Sequence, residues 1–325
     1  MNYLETAKQY TGNDVDRIFF RPMLKGPSAE ELGVRILYNM PLPTTVQYWD
    51  GQRNLLHKFS ENGWVGGKAA KKYQKTIDMH RVKAEMAFSA ADYFSLVYEQ
   101  ITASPDVNME DLTGTQLEQV ETTLFKKAVA ENIRTTMWIG DNSLSAGYNS
   151  FNGFLKILKS HVETEAINYD SYTSTDLEDP AFIIKLFDNL WENSTERLRV
   201  MKDEGQLAFF VTSDIYRLYE KYLDSMGVEA SFVGTIDGHQ TLSYHGIPVV
   251  DVKISSYLPA TALHQSFCLF TDRRNLVLAV NTADMPGNEV RMWYNPDEME
   301  NRQRAVFMAG CEILDENQLY YAYLA

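Results

Sequence analysis

Helical periodicity is confined to the middle of this 325-residue chain, and that restriction limits the possible folds more than any other feature. Leu117, Val120, Leu124, Ala128 and Ile133 recur at helical spacing, and Thr115 with Glu118 forms a capping-box pair in front of them. Glu118 and Glu121 lie near the start and Lys126, Lys127 and Arg134 toward the end, the polarity that suits a helix dipole. This helix should run for about twenty residues. A second is announced by Asp179 as N-cap and Pro180 at the first helical position, with Phe182, Ile183, Leu186, Phe187, Leu190 and Trp191 as its stripe. The apolar run 207–211 precedes a third, capped by Ser213, continued by Ile215, Leu218, Tyr222 and Leu223, and stopped at Gly227.

After Gly227 the patterning is β-like: 240–252, 267–270, 276–280, 289–294, 305–313 and 320–324. Helices and strands come in blocks, which predicts an α+β architecture. No fixed-period repeat suggests a solenoid or propeller. Earlier in the chain, Val34, Ile36, Tyr38, Thr44, Thr45, Val46 and Tyr48 suggest strands, with Pro41 and Pro43 marking edges or bends. Gly51, Gly63, Gly66 and Gly67, then Lys68, Lys71, Lys72 and Lys75, precede an extended stretch over 76–87. Two strands flanking a long tip would be marginal in water alone, so this hairpin is expected to lie on another surface, such as a neighbouring subunit. Residues 1–30, with Gly12, Pro22, Gly26 and Pro27, read as an irregular arm outside the core that a partner orders.

With 30 Lys and Arg against 44 Asp and Glu, the net charge of −14 repels phosphate backbones and disfavours a dedicated nucleic-acid reader. Cys268 and Cys311 lack zinc or disulfide spacing. No apolar stretch has membrane-spanning length and the first ten residues lack a signal-peptide core, so a soluble, non-exported protein without a membrane partner is expected.

Phosphate-loop, dinucleotide, nucleophile-elbow and zinc-protease motifs are absent, and neither a catalytic residue nor a cofactor is indicated. Asp237, His239 and His245 have the residue types of a metal site, but Asp237-Gly238 reads more simply as a hairpin turn. The basic stretch from Lys68 to Lys83, with Tyr73 and Arg81, suits a protrusion docking on an acidic neighbour of the same kind better than a nucleic-acid groove. Asn193-Ser194-Thr195 matches a glycosylation acceptor but falls inside an expected helix.

The stretches "LAFFVTSDIYRLYEKYLDSMG" from Leu207, "LSYHGIPVVDV" from Leu242, "FTDRRNLVLAV" from Phe270 and "RTTMWIGDNS" from Arg134 carry a resemblance in type and order. The chain resembles the major capsid proteins of tailed bacteriophages, the Hong Kong 97-type fold shared with encapsulins. The resemblance implies an N-terminal arm and lead-in strand over 1–43 and an extended β-hairpin loop over 44–80. It also implies a peripheral domain over 81–144 and 271–325, with a spine helix near 113–136, and an axial domain over 145–270. It implies self-assembly into hexamers and pentamers of an icosahedral shell around double-stranded DNA, held without sequence-specific binding. Scaffolding, portal and decoration proteins are the implied further partners, and the implied location is the virion, after assembly in the host bacterial cytoplasm. Tyr48, Trp49, Trp64, Lys68, Lys71 and Lys72 are the candidate inter-subunit contacts of the loop. Unlike some relatives, the chain shows no long helical scaffolding segment before the arm. Some relatives crosslink a loop lysine to a neighbour, and Lys68, Lys71 and Lys72 are open candidates for that. The rival expectations are an encapsulin-like compartment holding cargo enzymes and a soluble α+β hydrolase with a dispersed site.

Overall fold

The computed structural model describes residues 8–11, 20, 33–40, 44–50, 71–89, 116–226, 235–236, 239–240, 242–282, 288–298 and 300–325. Five strands lead: β1 (Lys8–Thr11), β2 (Arg35–Tyr38), β3 (Thr44–Asp50), β4 (Lys71–Ile77) and β5 (His80–Ser89). Helices dominate the middle: α1 (Gln116–Ile139), α2 (Phe154–Glu163), strand β6 (Asn168–Tyr172), α3 (Phe182–Glu192), the short α4 (Glu196–Val200), strand β7 (Leu207–Val211) and α5 (Ser213–Ser225). The rest is strand: β8 (Thr235–Ile236), β9 (His239–Gln240), β10 (Ser243–Tyr244), β11 (Ile247–Asp251), β12 (Phe267–Asp272), β13 (Leu276–Asn281), β14 (Glu289–Asn295), β15 (Glu300–Ile313) and β16 (Leu319–Leu324). Ile236 pairs with His239, and Asp237-Gly238, where the sequence suggests a turn, lies outside the described residues.

One six-stranded sheet has the order β1-β14-β15-β13-β2, with β5 also on β15. Its organiser is β15, long enough to pair β14 and β5 along its first half and β13 along its second. The other six-stranded sheet runs β10-β11-β7-β12-β16-β6. Its central strands are buried throughout, as a sheet covered on both faces requires. Phe209, Val211, Cys268 and Phe270 pack under α3 and α5, while Ala208, Phe210, Phe267 and Leu269 face the α1 and α2 side. The C-terminal strand β16 therefore sits in this second sheet, between β12 and β6, although the sequence reading grouped 319–324 with the strands before it.

Trp138, fully buried near the end of α1, joins the two regions. Its ring meets Phe154, Phe210 and Phe267 at 5.2, 5.7 and 5.9 Å. Just beyond it the backbone closes on itself: the Gly153 N–H donates to the Gly140 carbonyl at 2.9 Å. A Cβ at Gly140 would come within 2.3 Å of the Phe151 carbonyl oxygen, so only glycine fits.

Several expectations are corrected. The buried stripe of α1 is Glu121, Phe125, Val129 and Ile133, and Leu124 is 41% exposed. Phe125 and Val129, each one position beyond an expected stripe residue, take the inward face with Ile133, and Glu121 is carried in with them. Asp179 does not cap α3: its carboxylate accepts from the Ala181 N–H at 2.9 Å, closing a turn before the helix begins at Phe182. Ser213 lies inside α5, with Thr212 as N-cap, and its hydroxyl donates to Asp251 instead. The N-terminal arm is not wholly outside the core. Lys8–Thr11 pairs with β14, and Phe20 is buried with its ring 4.7 Å from that of Phe307. An open sheet edge and one aromatic anchor are enough to hold those residues.

Candidate assembly interface

The hairpin β3–β4 belongs to neither large sheet; its strands pair only with each other among the described residues. Its seven register pairs run from Thr44 opposite Ile77 to Asp50 opposite Lys71, a ribbon of about 24 Å at strand rise. Among the described side chains of the ribbon, those near its base tie it to the body. There Val46 and Ile77 are buried against Val277, Ala279 and Leu314. On the same ribbon Gln74 and Thr76 are exposed.

An ion cluster reinforces that base. The Lys75 ammonium lies 2.5 Å from Glu316 and 3.4 Å from Glu312, and the His161 imidazole lies 3.9 Å from Glu316. Burial raises the Glu312 carboxyl pKa, with the Lys75 charge opposing. At Glu316 burial also pushes upward, but the hydrogen bond and charge of Lys75 outweigh it and hold the carboxyl below its ordinary range. Burial, then the Lys75 charge, lower His161. A lysine between two carboxylates thus links β4 to β15 and to the turn that follows it, next to α2.

Of the six candidate contact residues, Tyr48, Trp49, Lys71 and Lys72 lie on this ribbon, with Tyr48 opposite Tyr73, Trp49 opposite Lys72 and Lys71 opposite Asp50. Trp64 and Lys68 fall outside the described residues. The structure thus brings four of the six to one ribbon by backbone register.

Catalytic geometry is a poor fit elsewhere. Two clefts among the described residues, each about 530 Å³, are a groove between α1 and β5 and an acidic one beside α3. Neither joins a nucleophile to a base. Ser213 contacts Asp251 but no imidazole. His264 stacks on Tyr323 and shares a 2.8 Å hydrogen bond with Tyr321, and burial pushes its pKa down to about 4, so it is a neutral packing group at pH 7. No cluster of three metal-ligating side chains occurs among the described residues; Asp237 lies outside them. No described helix is long and apolar enough to cross a membrane.

Neither a family model nor a curated protein sequence matches the chain. Solved structures do. A chain of the satellite phage P4 procapsid that includes the size determination (Sid) protein aligns with 96% of this chain and 91% of its own length, at a TM-score of 0.54 and 10% identity. The chain has the Hong Kong 97-type capsid fold. A Gordonia phage Cozz structure shares that fold at a TM-score of 0.51 and 13% identity, covering 92% of this chain and 87% of its own. The capsid of cyanophage P-SCSP1u does so at 0.51 and 9%, covering 92% and 88%. Identities this low establish the capsid fold alone.

The sequence places the strand after the glycine- and lysine-rich tip at 76–87, but β3 pairs with 71–77, and most of 76–87 is β5 on β15; the anchor of the hairpin is not foreseen either. Lys75 was visible only as one more lysine of a basic stretch, and its partners lie more than 230 positions away. Helix α2 was also missed, although Phe154, Leu155 and Leu158 carry a helical spacing and are all buried.

Proposed function

We propose that this chain is the major capsid protein of a tailed bacteriophage, assembling as hexamers and pentamers of an icosahedral shell around double-stranded DNA, with no catalytic role. The observation that carries the proposal is a whole-chain capsid fold with a hairpin, β3–β4, whose strands pair only with each other among the described residues. A two-stranded ribbon gains stability from a third surface, and many identical copies supply that surface repeatedly. We assign the arm and lead-in strand to 1–43, the extended loop to 44–80, the peripheral domain to 81–144 with 271–318, and the axial domain to 145–270, joined by β16. Tyr48, Trp49, Trp64, Lys68, Lys71 and Lys72 contact the adjacent subunit. The net charge of −14 suits a container whose lining must release its genome rather than grip it. Scaffolding, portal and decoration proteins act as partners, and assembly takes place in the bacterial cytoplasm before the shell becomes part of the virion.

The test is co-expression with the neighbouring genes, followed by electron microscopy and a nuclease-protection assay. Closed shells protecting DNA are expected. Cargo enzyme inside instead of DNA would reassign the chain to an encapsulin-like compartment. A compact monomer under every condition would overturn the proposal.

A further inference from the structure

In the first sheet, Val82, Ala84, Met86 and Phe88 of β5 face α1 and the core. The alternate residues turn to the opposite face, and antiparallel register shows which side chains meet there. Arg291 of β14 is directly opposite Arg304 of β15, and Trp293 opposite Arg302. On β5, Lys83 and Arg81 sit opposite Val306 and Met308 of the same face. Lys83 pairs with Glu85 at 2.8 Å, Arg302 with Glu298 and Glu300, and Arg304 with Glu289. A chain with 44 acidic and 30 basic residues thus places five cationic side chains on one sheet face, three of them held in these ion pairs.

Two arginines directly opposite one another are unfavourable in an isolated sheet. The protein tolerates the pair by local means. Arg304 donates to Glu289 at 2.6 Å, and the guanidinium carbons of Arg291 and Arg304 lie 5.5 and 5.7 Å from the centre of the Trp293 ring. Arg291 is exposed and has no ion pair among the described residues. The Arg304 Nε is buried without a hydrogen-bond acceptor, at a groove of about 410 Å³ that Arg81 and Lys83 also line. Half-buried tryptophan flanked by arginines is the composition of an interface anchor, and the internal compensation stops at Arg304, leaving the exposed Arg291 guanidinium to an outside partner.

We infer that this arginine-tryptophan face of the β14–β15–β5 sheet docks on a carboxylate-bearing surface of a second copy of this chain. The occupant follows from charge: copies carrying −14 each repel one another, and contact between the exposed Arg291 guanidinium and a carboxylate of the next copy offsets that repulsion where the copies meet. This rests on the multi-copy reading above and adds where the copies meet.

The test uses the full chain. Sedimentation at low salt reads self-association directly, and electron microscopy of co-expressed material reads shells. Arg291→Glu should weaken self-association about tenfold, Arg291→Lys should hold near wild type, and added salt should erase the difference. A carbodiimide crosslinker applied to mixed ¹⁴N and ¹⁵N copies should join Lys83 to carboxylates of a differently labelled copy. Unchanged association of Arg291→Glu, or Lys83 crosslinks confined to one copy, would overturn the inference. So would duplex DNA binding lost in Arg291→Glu, which would assign the face to nucleic acid. Self-association sensitive to Arg291 but never forming shells would sink the capsid reading and leave this one standing.

Discussion

Replacing Glu121 with glutamine should make stability less dependent on pH. Glu121 is 1% exposed beneath α1, where the Asn301 and Gln303 amides donate to its two oxygens at 3.1 and 3.3 Å. Burial pushes its carboxyl from 4.5 up to about 7, against the pull of those two hydrogen bonds. The folded chain therefore holds a proton that the unfolded chain releases between pH 4.5 and about 7, so stability falls as pH rises through that window. At about 1.4 kcal/mol per pKa unit, the ionised carboxylate costs roughly 3 kcal/mol at pH 8 and little at pH 5. Glutamine carries no charge. With a rotation of the Gln303 amide, its NH₂ group can also donate to the Gln303 Oε1, which accepts no hydrogen bond in the present arrangement. Urea unfolding of the unassembled chain, followed by circular dichroism, should show Glu121→Gln more stable than wild type by about 2–3 kcal/mol at pH 8 and within about 1 kcal/mol at pH 5. Glu121→Leu strands both amide donors and should be destabilised at both pH values. An equal wild-type-to-glutamine difference at pH 5 and pH 8 would refute the reasoning.

Lys75→Met should loosen the hairpin base by about 1 kcal/mol, so amide exchange over 71–77 should rise about fivefold while 207–211 stays unchanged. Trp138→Ala removes the ring shared by α1, α2 and the second sheet, and a loss of about 3–5 kcal/mol in chemical unfolding is expected. Gly140→Ala forces a Cβ against two backbone carbonyls, and a fall in melting temperature of several degrees, corresponding to about 2 kcal/mol, should appear by differential scanning fluorimetry.

Much of the secondary structure was legible because local rules and tertiary packing agree. The run 207–211 is apolar at every position and becomes a strand buried on both faces. Phe182, Ile183, Leu186, Phe187 and Leu190 read as one stripe and pack as one. Where the two disagree, the reading slipped. Glu121 looked like a residue favouring a helix start, and nothing local revealed that Asn301 and Gln303, 180 positions or more away, would solvate it inside. Burying Phe125, Val129 and Ile133 carries that carboxylate inward and leaves Leu124 outside. Capping signals failed for a similar reason: Asp179 and Ser213 have several acceptors or donors within reach, and the fold assigned them to a turn and to Asp251.

The proposed assembly site is less legible still, because a contact surface needs no special residue spacing. A nucleophile and its base must meet at hydrogen-bond distance, and a metal needs several ligands at once, so chemistry of that kind can leave local motifs. A docking ribbon needs only strand-forming residues, a long tip and an anchored base. The anchor here is assembled from Val46 and Ile77 on the hairpin, Val277 and Ala279 on β13, and Lys75 against Glu312 and Glu316. Those groups come together only once β13 and β15 have paired. Orientation of the ribbon is therefore a product of the finished sheet, and a defect in β13–β15 pairing should disturb docking before it touches any residue of the ribbon itself.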